Sequence, residues 1–281
     1  MRVTFWGTRG SIPAPGPGTV EVGGNTTCLE VVSDDGTRIV VDAGTGIRVL
    51  GLELVKDPEP QPIILLLTHS HWDHLAGFTF FAPAYHPLHR ISVYGNLTAM
   101  NVLQRDIFQR LDNRYFPVNM DDFRAEIVFN PGMPSPFVVG GIRIDTLNLN
   151  HPGNGFAYRF SIGSRKVAFI TDNEIGKRYP GGNTRDDIER FCRGVDILIH
   201  DAQYLPAEIS YHRGWGHSTY EEVVDLAGAS GVGEVYLTHH DPERDDDACR
   251  RLLDNARRYA ADKKFDLACN LAMEGHTIDV V

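Results

Sequence analysis

The chain has 281 residues, 42% hydrophobic and 23% charged, with 27 Lys and Arg against 37 Asp and Glu for a formal charge of −10. That is a globular composition with room for one large domain or two small ones, and it excludes an intrinsically disordered chain. The acidic balance offers no basic footprint for a long polyanion, so extended nucleic acid is not an expected partner. Twelve histidines contrast with four cysteines. Cys28, Cys192, Cys249 and Cys269 form no C-x-x-C pair and read as free, mostly buried thiols. The opening Met1 to Gly7 carries no apolar leader and no run is long enough to span a bilayer, so a cytoplasmic protein without a membrane partner is expected.

In chain order, a strand is predicted at Arg2 to Phe5, then a Gly- and Pro-rich loop from Gly7 to Gly24, then strands at Cys28 to Val32 and Arg38 to Val41. Ile63 to Leu67 is a continuous aliphatic run, the mark of a strand buried on both faces. It ends in Thr68-His69-Ser70-His71-Trp72-Asp73-His74. A strand at Ile91 to Tyr94 precedes a helix in which Met100, Leu103, Ile107 and Leu111 keep helical spacing, and Asn113 to Pro136 reads as a proline-containing loop. Further strands are predicted at Ile142 to Leu149, Phe156 to Ser161, Val167 to Ile170, Asp196 to Ile199, Val235 to Leu237 and Thr277 to Val281. Ser218-Thr219-Tyr220-Glu221 has the pattern of a capping box ahead of a helix through Val223, Val224 and Ala227. Ala248 to Tyr259 forms another helix, opened by Asp245 to Asp247 and closed by Arg257 and Arg258 in accord with the helix dipole. Strands interspersed with helices, without repeat or linker, predict one layered α/β domain over residues 1–281.

His69, His71, Asp73 and His74 place four potential ligands within six residues at the end of a buried strand. Imidazole and carboxylate without thiolate suit Zn²⁺, Mn²⁺ or Fe²⁺ in an open, catalytic site rather than a closed structural one. His151, Asp172 and His239 each follow an apolar strand by one or two residues, so one sheet edge can gather them with the first four.

With these residues in place, the sequence resembles the metallo-β-lactamase superfamily nearly end to end. Thr68 to His74 matches its signature, and His151, Asp172 and His239 follow in the superfamily's order. The resemblance implies an αββα four-layer sandwich holding two divalent metal ions, Zn²⁺ foremost. His69, His71 and His151 would bind one ion, Asp73, His74 and His239 the other, and Asp172 would bridge them. Within the superfamily the chain is most similar to tRNase Z-like phosphodiesterases, through Phe5-Trp6-Gly7-Thr8, Gly24 to Cys28, Leu198 to Ala202 and Gly216-His217-Ser218-Thr219. By that match His217 acts beside the metals, with Asp73 taking part in the chemistry. Two metals about 3.5–4 Å apart acidify a shared water and clamp phosphate oxygens. An imidazole, with its ordinary pKa near neutrality, suits the proton delivered to the leaving group.

tRNase Z carries a long tRNA-gripping arm between its third ligand histidine and its bridging aspartate. Here that interval spans 21 positions and is predicted to hold two strands. The expected substrate is therefore a small cyclic phosphodiester, foremost a cyclic nucleotide, as in the armless cyclic-nucleotide phosphodiesterases, anti-Pycsar enzymes and phosphoribosyl cyclic phosphodiesterases of the lineage. The alternatives are RNA 3′-processing, a lactonase or thioesterase activity, and a non-catalytic nucleotide sensor. Trp72, Tyr115 or Phe116 is available to stack on a base. His240 is assigned behind the ligands or on the pocket wall, and His86, His89, His200, His212 and His276 are assigned structural roles, His200 on a strand end and the others on loops. A homodimer using an exposed face of the Met100 to Leu111 helix is a further expectation.

Overall fold

The computed structural model describes residues 1–108, 117–118, 122–130, 132–134 and 136–280. Its strands are β1 (Arg2–Gly7), β2 (Cys28–Val32), β3 (Arg38–Val41), β4 (Ile63–Leu67), β5 (Arg90–Gly95), β6 (Glu126–Phe129), β7 (Phe137–Val139), β8 (Ile142–Asn148), β9 (Phe156–Ile162), β10 (Arg165–Ile170), β11 (Ile197–Asp201), β12 (Glu234–Thr238), β13 (Ala268–Leu271) and β14 (Thr277–Asp279). The helices are α1 (Gly46–Leu54), α2 (Trp72–Leu75), α3 (Leu97–Asn101), α4 (Arg185–Cys192), α5 (Ile209–His212), α6 (Tyr220–Ser230) and α7 (Asp246–Asp262). A π-helical stretch, Val102–Phe108, continues α3.

Among the described residues the strands make two seven-stranded sheets, ordered β14-β1-β2-β3-β4-β5-β6 and β13-β12-β11-β10-β9-β8-β7. Both sheets follow one plan. Neighbours are antiparallel up to β3 in the first and β10 in the second, then parallel from β3 to β6 and from β10 to β13. Alternation along each strand sorts side chains between layers. In β3, Ile39 and Val41 face the other sheet while Val40 faces outward. Val3, Phe5, Ile39 and Leu66 of the first sheet meet Tyr158, Phe160, Phe169 and Ile199 of the second. Outside the first sheet, Ile47 and Leu50 of α1 cover Leu65 and Val93. Outside the second, Ile188, Val223 and Leu252 of α4, α6 and α7 cover Ala168, Leu198 and Val235. The result is the expected αββα sandwich.

Two sequence expectations need correction. The α6 capping box is Thr219 with Glu222, one residue later than expected, because Ser218 is committed elsewhere: its hydroxyl donates to the Asn173 carbonyl at 2.6 Å and accepts from Ile175 N–H at 3.1 Å. The expected loop from Asn113 to Pro136 contains β6, whose four residues pair in parallel with β5. Leu111, Tyr115 and Phe116 lie outside the described residues, while Met100 and Leu103 are buried against the first sheet.

Parallel pairing brings the carboxyl ends of β3, β4, β10, β11 and β12 to one edge of the sandwich. The carboxyl ends of strands are where α/β sheets commonly place ligand sites.

Candidate metal centre

That edge collects the site. Asp42 is the first residue after β3, His69 to His74 follow β4, Asp172 follows β10, Asp201 ends β11 and His239 follows β12. Asp42, Asp172 and His239 have φ of 63°, 55° and 56°, a left-handed conformation that turns each chain sharply off its strand and is sparsely populated outside glycine. Such strain, about 1–3 kcal/mol per residue, persists where the surrounding structure holds it, and it clusters at functional sites.

The seven residues expected as ligands come together in two groups. His69, His71 and His151 form one, Asp73, His74, Asp172 and His239 the other, and in each the ligand atoms lie within 4.8 Å of one another. Asp172 lies between them. Its Oδ1 is 3.7 Å from His69 Nε2 and 3.3 Å from His239 Nε2, and its Oδ2 is 3.2 Å from His74 Nε2. His217 makes a further group with His151 and Asp172.

The rings are aimed by partners behind them. His74 Nδ1–H donates to Asp42 Oδ2 at 2.7 Å, His239 Nδ1–H to Gln203 Oε1 at 2.9 Å, and His151 Nδ1–H to the Gly216 carbonyl at 3.0 Å. His69 Nδ1–H donates to Thr68 Oγ1 at 3.0 Å, and that hydroxyl in turn donates to Asp42 Oδ2 at 2.8 Å. One buried carboxylate therefore fixes a ring in each group. In all four rings the opposite nitrogen, Nε2, is turned toward the other members of its group, which is how metal-binding histidines are commonly held. Nε2 of His69 and of His74 are buried without a hydrogen-bond partner among the described residues. Orphaned buried nitrogens beside two carboxylates fit two divalent ions, with a nitrogen and oxygen donor set that does not select between Zn²⁺, Mn²⁺ and Fe²⁺.

The two groups differ electrostatically. Burial pushes His69 well below its ordinary pKa, lowers His71 and takes His151 down to about 4, so the first group is a set of neutral imidazoles. In the second, burial also opposes charge, but Asp73 and Asp172 outweigh it and raise His74 and His239. The imidazoles in turn hold both carboxyls well below the usual range despite burial. The space between those carboxylates draws positive charge.

A loop carries His217 to the same place. The fully buried Glu174 accepts from the Gly214 and Gly216 amides at 3.0 and 3.1 Å and from Tyr179 O–H at 2.7 Å, pinning residues 213–216. Gly216 has φ of 91°, and a Cβ there would sit 2.0 Å from His151 Nδ1. His217 Nδ1 lies 3.6 Å from Asp201 Oδ2 and 3.8 Å from Asp172 Oδ1. Burial works against the Asp201 charge, yet His200 and His217 hold that carboxyl well below its usual range.

Ser11, Trp72, Asp73, Asp172, His217 and His239 line a cavity of about 460 Å³. Ser11, in the Gly- and Pro-rich loop, donates its N–H to Asp73 Oδ2 at 2.7 Å, so that loop is part of the site. His240 is not on the cavity wall. It is fully buried behind the ligands, with Nε2–H donating to the Ala272 carbonyl at 3.1 Å. His212 belongs to α5 rather than to a loop.

The profile of the beta-lactamase superfamily domain matches residues 37–240, which takes in every residue of the two groups. The chain belongs to the beta-lactamase superfamily. Among its superfamily relatives, ribonuclease Z of Methanopyrus kandleri is 26% identical over 277 residues, covering 89% of this chain and 91% of the relative. By fold, the crystal structure of a diphosphatase from the PhnP family superposes with a TM-score of 0.69 at 19% identity, covering 100% of this chain and 98% of that one. Human tRNase Z, short form, gives 0.69 at 18% identity, with 100% of both chains covered.

Asp42, Gln203 and Glu174 were not singled out by sequence, and Gly216 entered only as part of the match at Gly216 to Thr219. Asp42 had a usable signal, since it follows an apolar strand just as Asp172 does. Gln203 and Glu174 act through contacts between segments far apart in the chain and carry no local pattern.

Proposed function

We propose that this chain is a metal-dependent hydrolase of small cyclic phosphodiesters, a cyclic nucleotide above all. In this reading His69, His71 and His151 would hold one divalent ion, Asp73, His74 and His239 would hold a second, and Asp172 would serve both. When bound, the ions supply a water-derived nucleophile at neutral pH and positive charge for the phosphate oxygens. The protein's own groups do the rest. Asp42, Gln203 and the Gly216 carbonyl keep the imidazoles in register, and the N–H of Ser11 holds Asp73. His217, beside Asp201 and Asp172, lines the cavity and gives a proton to the departing alkoxide.

The observation that carries the small-substrate reading is the β9–β10 hairpin. The interval from His151 to Asp172 is occupied by those two strands and a turn at Gly163 and Ser164, with no inserted arm to grip a folded RNA. The formal charge of −10 agrees with it. RNA 3′-processing is the second reading, supported by the relatives named ribonuclease Z that match across about nine-tenths of their length.

Bis(p-nitrophenyl) phosphate tests the reaction class. The zinc- or manganese-loaded chain should release p-nitrophenol, and the chelated chain should not. No turnover with either metal, or far faster turnover of a lactone or thioester, would reject the phosphodiesterase reading.

A further inference from the structure

Two of the chain's three tryptophans are exposed, and each adjoins the metal centre in sequence. Trp6 donates Nε1–H to Glu30 at 3.0 Å and packs against the core. Trp215 is 60% exposed, but its ring meets His212 edge-on at 4.9 Å. Trp72 differs from both. It is 72% exposed, and its indole has neither a hydrogen bond nor a ring contact among the described residues. An unpartnered indole on a surface is unusual, because tryptophan is among the most buried residues on average. Its position is fixed all the same. It opens α2 between His71 and Asp73, and its carbonyl accepts from Ala76 N–H at 2.8 Å.

The cavity lining combines charged and polar groups with one tryptophan, Trp72. Asp73, Asp172, His217 and His239 are the lining groups at which a phosphodiester would be held, and Trp72 lines the same cavity. A volume of about 460 Å³ is that of a small-molecule site. A group attached to a phosphate held there would lie near Trp72, and the group best matched to an exposed indole is another flat ring. We propose that Trp72 is the stacking platform for the base of a nucleotide substrate, and so decides between base-bearing and base-free phosphodiesters. This rests on the phosphodiesterase reading above.

The test is binding without turnover. Adenosine 5′-monophosphate and ribose 5-phosphate are titrated calorimetrically into zinc-loaded wild type, Trp72→Phe, Trp72→Leu and Trp72→Ala, each checked for unchanged metal content and melting temperature. Wild type should hold the nucleotide more tightly than the sugar phosphate. Leu and Ala should weaken the nucleotide about 5- to 100-fold, the range for losing one base stack. Phe should restore most of the affinity, and ribose 5-phosphate should bind all four proteins alike. With a cyclic nucleotide that the enzyme hydrolyses, Trp72→Leu should raise KM by the same factor and leave kcat unchanged. Equal nucleotide affinity across the variants, parallel loss for both ligands, or a wild type that does not prefer the nucleotide would overturn the proposal. A protein that keeps the Trp72-dependent preference yet hydrolyses no phosphodiester would support the platform and reject the activity.

Discussion

Asp42 is fully buried, yet its two oxygens take the Thr68 N–H at 2.8 Å, the Thr68 hydroxyl and the His74 ring, so one carboxylate sets rings in both candidate metal groups. Asp42→Ala should lower metal affinity about 10- to 100-fold, the usual cost of losing a ligand's supporting partner, in competition with a chelator. Unchanged affinity would show that packing alone aims the rings. Asp172→Ala should bind fewer than two ions per chain, and a retained stoichiometry of two would refute a bridge. His217→Ala should reduce turnover at least about 100-fold with metal content unchanged. Metal lost with it would make His217 a ligand rather than an acid. The candidate ligands were legible because ligand chemistry demands particular residue types just past apolar strands. The residues behind them were less so, since Gln203 and the Gly216 carbonyl are common groups whose role appears only once the chain has folded.

Elements set the geometry in which those residues meet. The carboxyl ends of β3, β4, β10, β11 and β12 converge because the strands run parallel from β3 and from β10 onward. Long apolar strands and the amphipathic α7 were readable from period alone. Others were not. Gly46 and Gly51 mask α1, although Gly51 is there because a Cβ would press on the Phe81 ring at 2.9 Å. β13, with the residues Ala268, Cys269, Asn270 and Leu271, has no β-branched or aromatic side chain to announce a strand. The one-residue shift of the α6 cap separates two adjacent hydroxyls. Thr219→Ala should cost about 1 kcal/mol, lowering the melting temperature by about 2–4 °C with metal content intact. Gly216→Ala should instead release metal from the His69, His71 and His151 group, because its Cβ would occupy the place of the His151 ring. Full metal occupancy in that variant would contradict the packing described.

At the scale of the whole molecule, the core seals all four thiols. Burial pushes Cys192 up to about 12 and Cys269 up to about 11. The native protein should leave a disulfide reagent unreacted at pH 8, and all four should react after denaturation; a thiol released from the native state would show that the core opens. The same burial makes stability depend on pH. Unfolded cysteines ionise from about 8.5, whereas the folded Cys192 stays protonated to about 12, so stability should fall as pH rises through that window.

The proposed substrate size also belongs to this scale. The acidic charge, a cavity of about 460 Å³ and a short β9–β10 hairpin are what the proposal of a small substrate rests on. The most direct measurement is kcat/KM of the zinc- or manganese-loaded chain on a panel of cyclic nucleotides and on precursor tRNA under identical conditions. At least one cyclic nucleotide should be hydrolysed with a kcat/KM well above that for precursor tRNA. Efficient 3′-processing of the tRNA with no cyclic nucleotide turned over would contradict the account.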